Sequence, residues 1–216
     1  MSEQPQPLNI LRVNTLCPED SVIQKAKNRL VQHGVVIFPA HCLYGVAANA
    51  LDPRAVERVF LLKQRPKNNP LLVLVKDLDS ISPMVKSIPD PAKRLMENFW
   101  PGRLTIVFEA ADHICPLLTA QTGKIGIRLP GHPVARALVE AVDFPVTGTS
   151  ANLSGEPGCT QTCALDPSII TNADLILDAG RLQGGAGSTI VDVSAGPVKI
   201  LRHGSIPARQ ILACLG

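Results

Sequence analysis

Apolar positions recur at helical spacing early in the chain. Val22, Ile23, Ala26, Leu30 and Val31 follow Pro18-Glu19-Asp20-Ser21, and Gly34 closes the run, so the spacing predicts a helix. The unbroken apolar stretch Val35-Val36-Ile37-Phe38, ended by Pro39, predicts a short buried strand. Asp52-Pro53 reads as an N-cap followed by proline at the first helical position, where no N–H is needed. The helix it opens carries Val56, Val59, Phe60 and Leu62. Further along, residues 71–75, 104–108, 125–129, 145–149, 175–177, 189–193 and 198–201 predict strands, and residues 91–99, 133–142 and 207–215 predict helices. Strands interleaved with single helices give an α/β fold: a twisted mixed sheet with flanking helices. The second half is too rich in strands for a TIM barrel or a plain Rossmann sheet. A single domain over 1–216 is expected, with a core over about 20–204 and an N-terminal tail over 1–9.

Composition sharpens this picture. Of 216 residues, 45% are hydrophobic but only 3% aromatic, so the core is aliphatic and global disorder is excluded. A net charge of +3 permits an anionic ligand without arguing for a nucleic-acid coat. The six cysteines form no C-x-x-C pair and read as reduced thiols acting as small hydrophobes. The opening MSEQPQPLN is polar, and the longest apolar runs fall far short of the ~20 residues of a membrane span. A soluble, cytoplasmic protein without a membrane partner is the expectation.

Four segments carry candidate chemistry. Lys63-Gln64-Arg65-Pro66, with Asn69-Pro70 before a strand, can converge two cations on one anion; a solvated helix C-terminus is the plainer alternative. Thr149-Ser150-Ala151-Asn152-Leu153-Ser154-Gly155 follows an apolar strand and suits a backbone nest for an oxyanion, or an ordinary polar turn. Gly184-Gly185-Ala186-Gly187-Ser188-Thr189 lets a backbone approach a ligand closely, yet it is neither a Walker A loop nor a dinucleotide fingerprint. Arg128 and Arg202 sit in or at the end of apolar strands. Such arginines need a partner, either Asp178 or Asp192 or an anionic substrate. No nucleophile elbow, H-E-x-x-H pair or closed zinc set is present.

Taken in order, these segments resemble the YrdC/Sua5 (TsaC) family, the L-threonylcarbamoyladenylate synthases. The resemblance rests on Lys63-Gln64-Arg65-Pro66 with Asn69-Pro70-Leu71, Phe99-Trp100-Pro101-Gly102-x-Leu104-Thr105, Arg128-Leu129-Pro130-x-His132-Pro133, Thr149-Ser150-Ala151-Asn152-x-Ser154-Gly155, Ser188-Thr189-Ile190-Val191-Asp192 and Arg202-x-Gly204. It runs from about Val35 to Gly204 and implies a mixed α/β fold around a positively charged cavity. It also implies formation of threonylcarbamoyl-AMP and pyrophosphate from L-threonine, bicarbonate or CO2, and ATP, with Mg2+ on the triphosphate. The product would serve t6A modification of tRNA through a downstream transferase complex met transiently. By the same resemblance Lys63 and Arg65 are the catalytic cations on the phosphates. Asn69, Ser150, Asn152, Ser188 and Arg202 join them around ATP. Ala40, Cys42, Tyr44, Arg128, Ser150 and Ser188 line the threonine site, Arg128 facing the carboxylate; no residue is expected to bind a metal. One segment departs from the family pattern P-T-[D/E]-T-x-Y-G: here it reads Pro39-Ala40-His41-Cys42-Leu43-Tyr44-Gly45, without both threonine hydroxyls and the carboxylate. Two alternatives stand beside the synthase. One is a module binding tRNA or double-stranded RNA, for which one Trp, one Tyr and five Phe supply little stacking surface. The other is a paralogue making a different carbamoyl-adenylate.

Overall fold

The computed structural model describes residues 9–216. Of the expected N-terminal tail, all but Asn9 lies outside the described residues. The chain forms two sheets. In the first, β1 (Ile10–Arg12), β2 (Val36–Pro39), β3 (Tyr44–Ala47), β8 (Thr149–Ser150) and β9 (Leu175–Asp178) lie in the order β1-β9-β2-β3-β8. In the second, β4 (Leu72–Leu74), β5 (Leu104–Glu109), β6 (Lys124–Arg128), β7 (Val146–Thr147), β10 (Thr189–Asp192) and β11 (Lys199–Arg202) lie in the order β11-β10-β5-β6-β4-β7. Both sheets mix parallel and antiparallel pairs.

The predicted single sheet is therefore two, and the reason sits at Gly148. The expected strand over 145–149 splits there. β7 pairs with β4 in the second sheet, and β8 pairs with β3 in the first. A Cβ at Gly148 would come within 2.7 Å of side-chain atoms of Leu72 and Leu74, so only glycine lets the chain cross from sheet to sheet here.

Among the described residues six helices cover the sheets: α1 (Asp20–Val31), α2 (Pro53–Leu62), α3 (Asp90–Phe99), α4 (Pro133–Ala141), α5 (Pro167–Asn172) and α6 (Ala208–Leu215). α2 begins as its sequence predicts, with the Asp52 carboxylate accepting from Arg54 N–H at 3.0 Å and Pro53 at the first turn. β2 shows how the strands divide the core. Val35 and Ile37 face a cluster with Val56, Phe60 and Ile106, whereas Val36 and Phe38 face one with Leu30, Leu138 and Leu177. Alternating side chains thus serve two cores. β1, β3 and α5 are not foreseen in the sequence. Tyr44-Gly45-Val46-Ala47 is buried on both faces, so it carries no polar–apolar alternation to read.

Candidate functional site

The β2–β3 turn, the end of β6, the start of β8 and the loop before β10 meet at one hollow between the sheets. It encloses about 300 Å³. Its wall includes Arg65, Arg103, Arg128 and Arg202 and contains no aspartate or glutamate. Four guanidiniums without a carboxylate among them make a strongly anion-selective hollow, since each is a planar fork that stays charged.

Two of these arginines are held by backbone carbonyls. Arg65 follows α2 and donates through Nε to Asn69 O at 3.1 Å and through Nη2 to Pro70 O at 2.9 Å. Arg202 ends β11 and donates through Nε and Nη2 to Ser188 O at 3.1 and 2.7 Å. Its Nη2 also reaches Ser188 Oγ at 3.1 Å, and that hydroxyl lies 2.8 Å from Thr105 Oγ1. Gly204 makes this approach possible: a Cβ there would stand 2.4 Å from Gly187 O.

The other two are uncommitted. Arg128 ends β6, and its Nε is buried with no acceptor. The aspartates its sequence offered as partners are occupied elsewhere: Asp192 pairs with Lys124 at 2.8 Å, and Asp178 accepts from Thr162 Oγ1 at 3.1 Å. Burial and the nearby Arg202 pull the Arg128 pKa down to about 10, so it stays cationic at neutral pH. Among the described residues Arg103 meets only the Nε2 of His41.

Lys63 is placed differently from its expected role on the phosphates. It caps α2, is 1% exposed, and is not part of the cavity wall. Its Nζ donates to Ser150 O at 2.5 Å and Asn152 O at 2.6 Å, and Ser154 N–H returns a bond to Lys63 O at 2.9 Å. Burial, then Arg65, lowers its pKa to about 8. Lys63 thus fixes the loop that carries Ser150 into the cavity.

The remaining expected residues divide in the same way. Ser150, Ser188, Ala40, Cys42 and Tyr44 line the cavity; Asn69 and Asn152 do not. Asn69 contributes its carbonyl to Arg65. Asn152 is buried, with Nδ2 donating to Leu153 O and Glu156 O, both at 2.7 Å. Tyr44 presents only its ring: its hydroxyl donates to Gly180 O at 2.8 Å and accepts from Ala179 N–H at 3.0 Å, and burial raises its pKa. Sequence reasoning missed Arg103 and His41 as site residues. The signal for Arg103 was an arginine between Gly102 and an apolar strand.

Among the described residues no group of three or more His, Cys, Asp or Glu is placed to hold a metal ion. With no carboxylate in its wall, the cavity does not fit a protein-held Mg2+. Among the same residues no helix is long and apolar enough to cross a membrane.

Known proteins match this arrangement over most of its length. The threonylcarbamoyl-AMP synthase of Pyrococcus abyssi is 32% identical over 198 residues, covering 92% of this chain and 58% of the relative. That of Bacillus subtilis is 35% identical, covering 93% and 58%. The chain therefore spans little more than half the length of these relatives. A crystal structure of P. abyssi Sua5 complexed with L-threonine superposes with a TM-score of 0.91 at 32% identity, covering 96% of this chain and 61% of that one. The Sua5/YciO/YrdC family model, described as telomere recombination, matches residues 28–204, the span that carries every strand but β1 and all four cavity arginines, and the chain belongs to that family.

Proposed function

We propose that this chain is a threonylcarbamoyl-AMP synthase, joining L-threonine, bicarbonate-derived CO2 and ATP and releasing pyrophosphate. The observation that carries this reading is Arg128: a guanidinium with a buried, unpartnered Nε in a cavity with three further arginines and no acid. A cation so placed needs an anion to complete it. A threonine carboxylate on Arg128 and a triphosphate along Arg65 and Arg202 meet that need. The names of the relatives and the threonine-bound structure support the same assignment.

The chemistry asks for no protein nucleophile. The threonine amine adds to CO2 and loses a proton to solvent, giving a carbamate. A carbamate oxygen then attacks the α-phosphorus, forming a P–O bond as the bond to the departing pyrophosphate breaks. Arg65 and Arg202, already fixed by backbone carbonyls, hold the phosphates without reorganising. Lys63 positions Ser150 beside them through the carbonyls it binds. The wall offers Mg2+ no carboxylate, so an ion needed on the triphosphate would have to come with ATP rather than from a site of the protein. The product is a mixed anhydride, to be consumed by a transferase acting on tRNA. Incubating the protein with ATP, bicarbonate and each amino acid in turn, while following pyrophosphate, tests the reading. Release dependent on threonine is expected; a folded sample that releases none refutes it.

A further inference from the structure

One pair at the cavity mouth lies apart from the residues that hold the threonine carboxylate and the fixed phosphate arginines. Arg103, in the turn between α3 and β5, reaches His41 Nε2 in the turn between β2 and β3. His41 is exposed and Arg103 half-buried, so the contact stands at the rim, linking elements of the two sheets. Among the described residues nothing acidic shares this rim. Partial burial, then Arg103 and Arg128, hold the His41 pKa below its ordinary value, so the imidazole is neutral and accepts from Arg103. The other ring facing it, His132, stands edge-on at 6.5 Å and is itself neutral, its pKa lowered to about 4.

We infer that Arg103 and His41 form an anion subsite at the cavity mouth that takes the terminal phosphates of ATP and the pyrophosphate released from it. This rests on the synthase reading. Arg65 and Arg202 each give two donors to backbone carbonyls, leaving part of each fork for phosphate. Arg103 keeps its fork free apart from a neutral imidazole, which a phosphate oxygen can replace. An anion here also screens His41 from Arg103 and Arg128, so binding draws a proton onto the imidazole. His41 then changes from an acceptor that positions Arg103 into a second donor to the phosphate.

Titration of inorganic pyrophosphate into the full chain tests the subsite apart from turnover. Arg103→Ala is expected to weaken pyrophosphate binding roughly tenfold or more, with L-threonine binding unchanged. Arg209→Ala, on the exposed face of α6, should change neither. Arg103→Lys, which keeps a charge but not the fork, should fall between, and it serves if the alanine variant unfolds. His41→Asn keeps a neutral acceptor for Arg103, so the wild-type advantage over it should grow as pH falls from 8 to 6; taking the ratio cancels protonation of pyrophosphate itself. Unchanged pyrophosphate affinity in Arg103→Ala overturns the subsite. So does a loss confined to threonine, which would make this an amino-acid contact. Because binding needs no turnover, a protein that binds pyrophosphate through Arg103 yet releases none from ATP keeps the subsite and loses the synthase.

Discussion

The cavity between the sheets and the broad depression at the Glu109 end of β5 are both lined by cations. The depression is the larger, about 700 Å³ against about 300 Å³. There, however, Lys86 lies 3.1 Å from both Glu109 and Asp112, and Lys124 lies 2.8 Å from Asp192. Each cation in the depression already has its acid. In the cavity four arginines have none, two being held by carbonyls and two left uncommitted. The contrast teaches that size does not mark a binding site here. Uncompensated charge does, because an unpaired guanidinium turned into a hollow is costly unless a ligand completes it.

The sharpest way to break this contrast is to remove the least compensated cation. Arg128→Ala should lower threonine-dependent kcat/KM on the order of a hundredfold or more while the protein remains folded by circular dichroism. Arg128→Lys should recover part of that loss, since an ammonium restores charge but not the bidentate fork.

Lys63 is the buried cation that carbonyls, not a ligand, compensate. Lys63→Ala should cost about 2–4 kcal/mol in urea unfolding, from the orphaned carbonyls of Ser150 and Asn152 and the space left behind. Its folded pKa of about 8 lies below the unfolded value near 10.4. Between those values the unfolded chain binds the proton that the folded chain has released. Stability of the wild type relative to Lys63→Met should therefore rise with pH across that window and stay flat below it.

A smaller effect belongs to the departing loop. Ala40 and Cys42, which line the cavity, stand where the resemblance read threonines. Restoring them in Ala40→Thr/Cys42→Thr should tighten L-threonine binding by roughly two- to tenfold, one or two hydrogen bonds' worth, read by calorimetry. The smallest effect belongs to the depression: Lys86→Ala, an exposed and fully paired cation, should leave both Tm and pyrophosphate release unchanged.

The sequence disclosed every helix but the six-residue α5 through 3.6-residue spacing, and the long strands through their apolar runs. It did not disclose β3, because Tyr44-Gly45-Val46-Ala47 is buried on both faces, nor the second sheet, because the split depends on a close approach of Gly148 to Leu72 and Leu74. Arg128 and Arg202 were legible as arginines in or at the end of apolar strands, and Ser188 as a hydroxyl at a strand entrance after a glycine-rich loop. Lys63 was legible only as a cation near a helix C-terminus, where lysine is ordinarily solvated; its burial depends on a loop almost ninety residues away. Arg103 had no periodicity to mark it, and only the folded chain brings it to His41.

A crystal structure of the chain soaked with ATP and L-threonine examines the uncompensated charge itself. The expected map has the amino-acid carboxylate on Arg128 and phosphate oxygens on Arg65, Arg103 and Arg202. Nucleotide density in the Lys86–Lys124 depression, with Arg128 still lacking an anion, would contradict it.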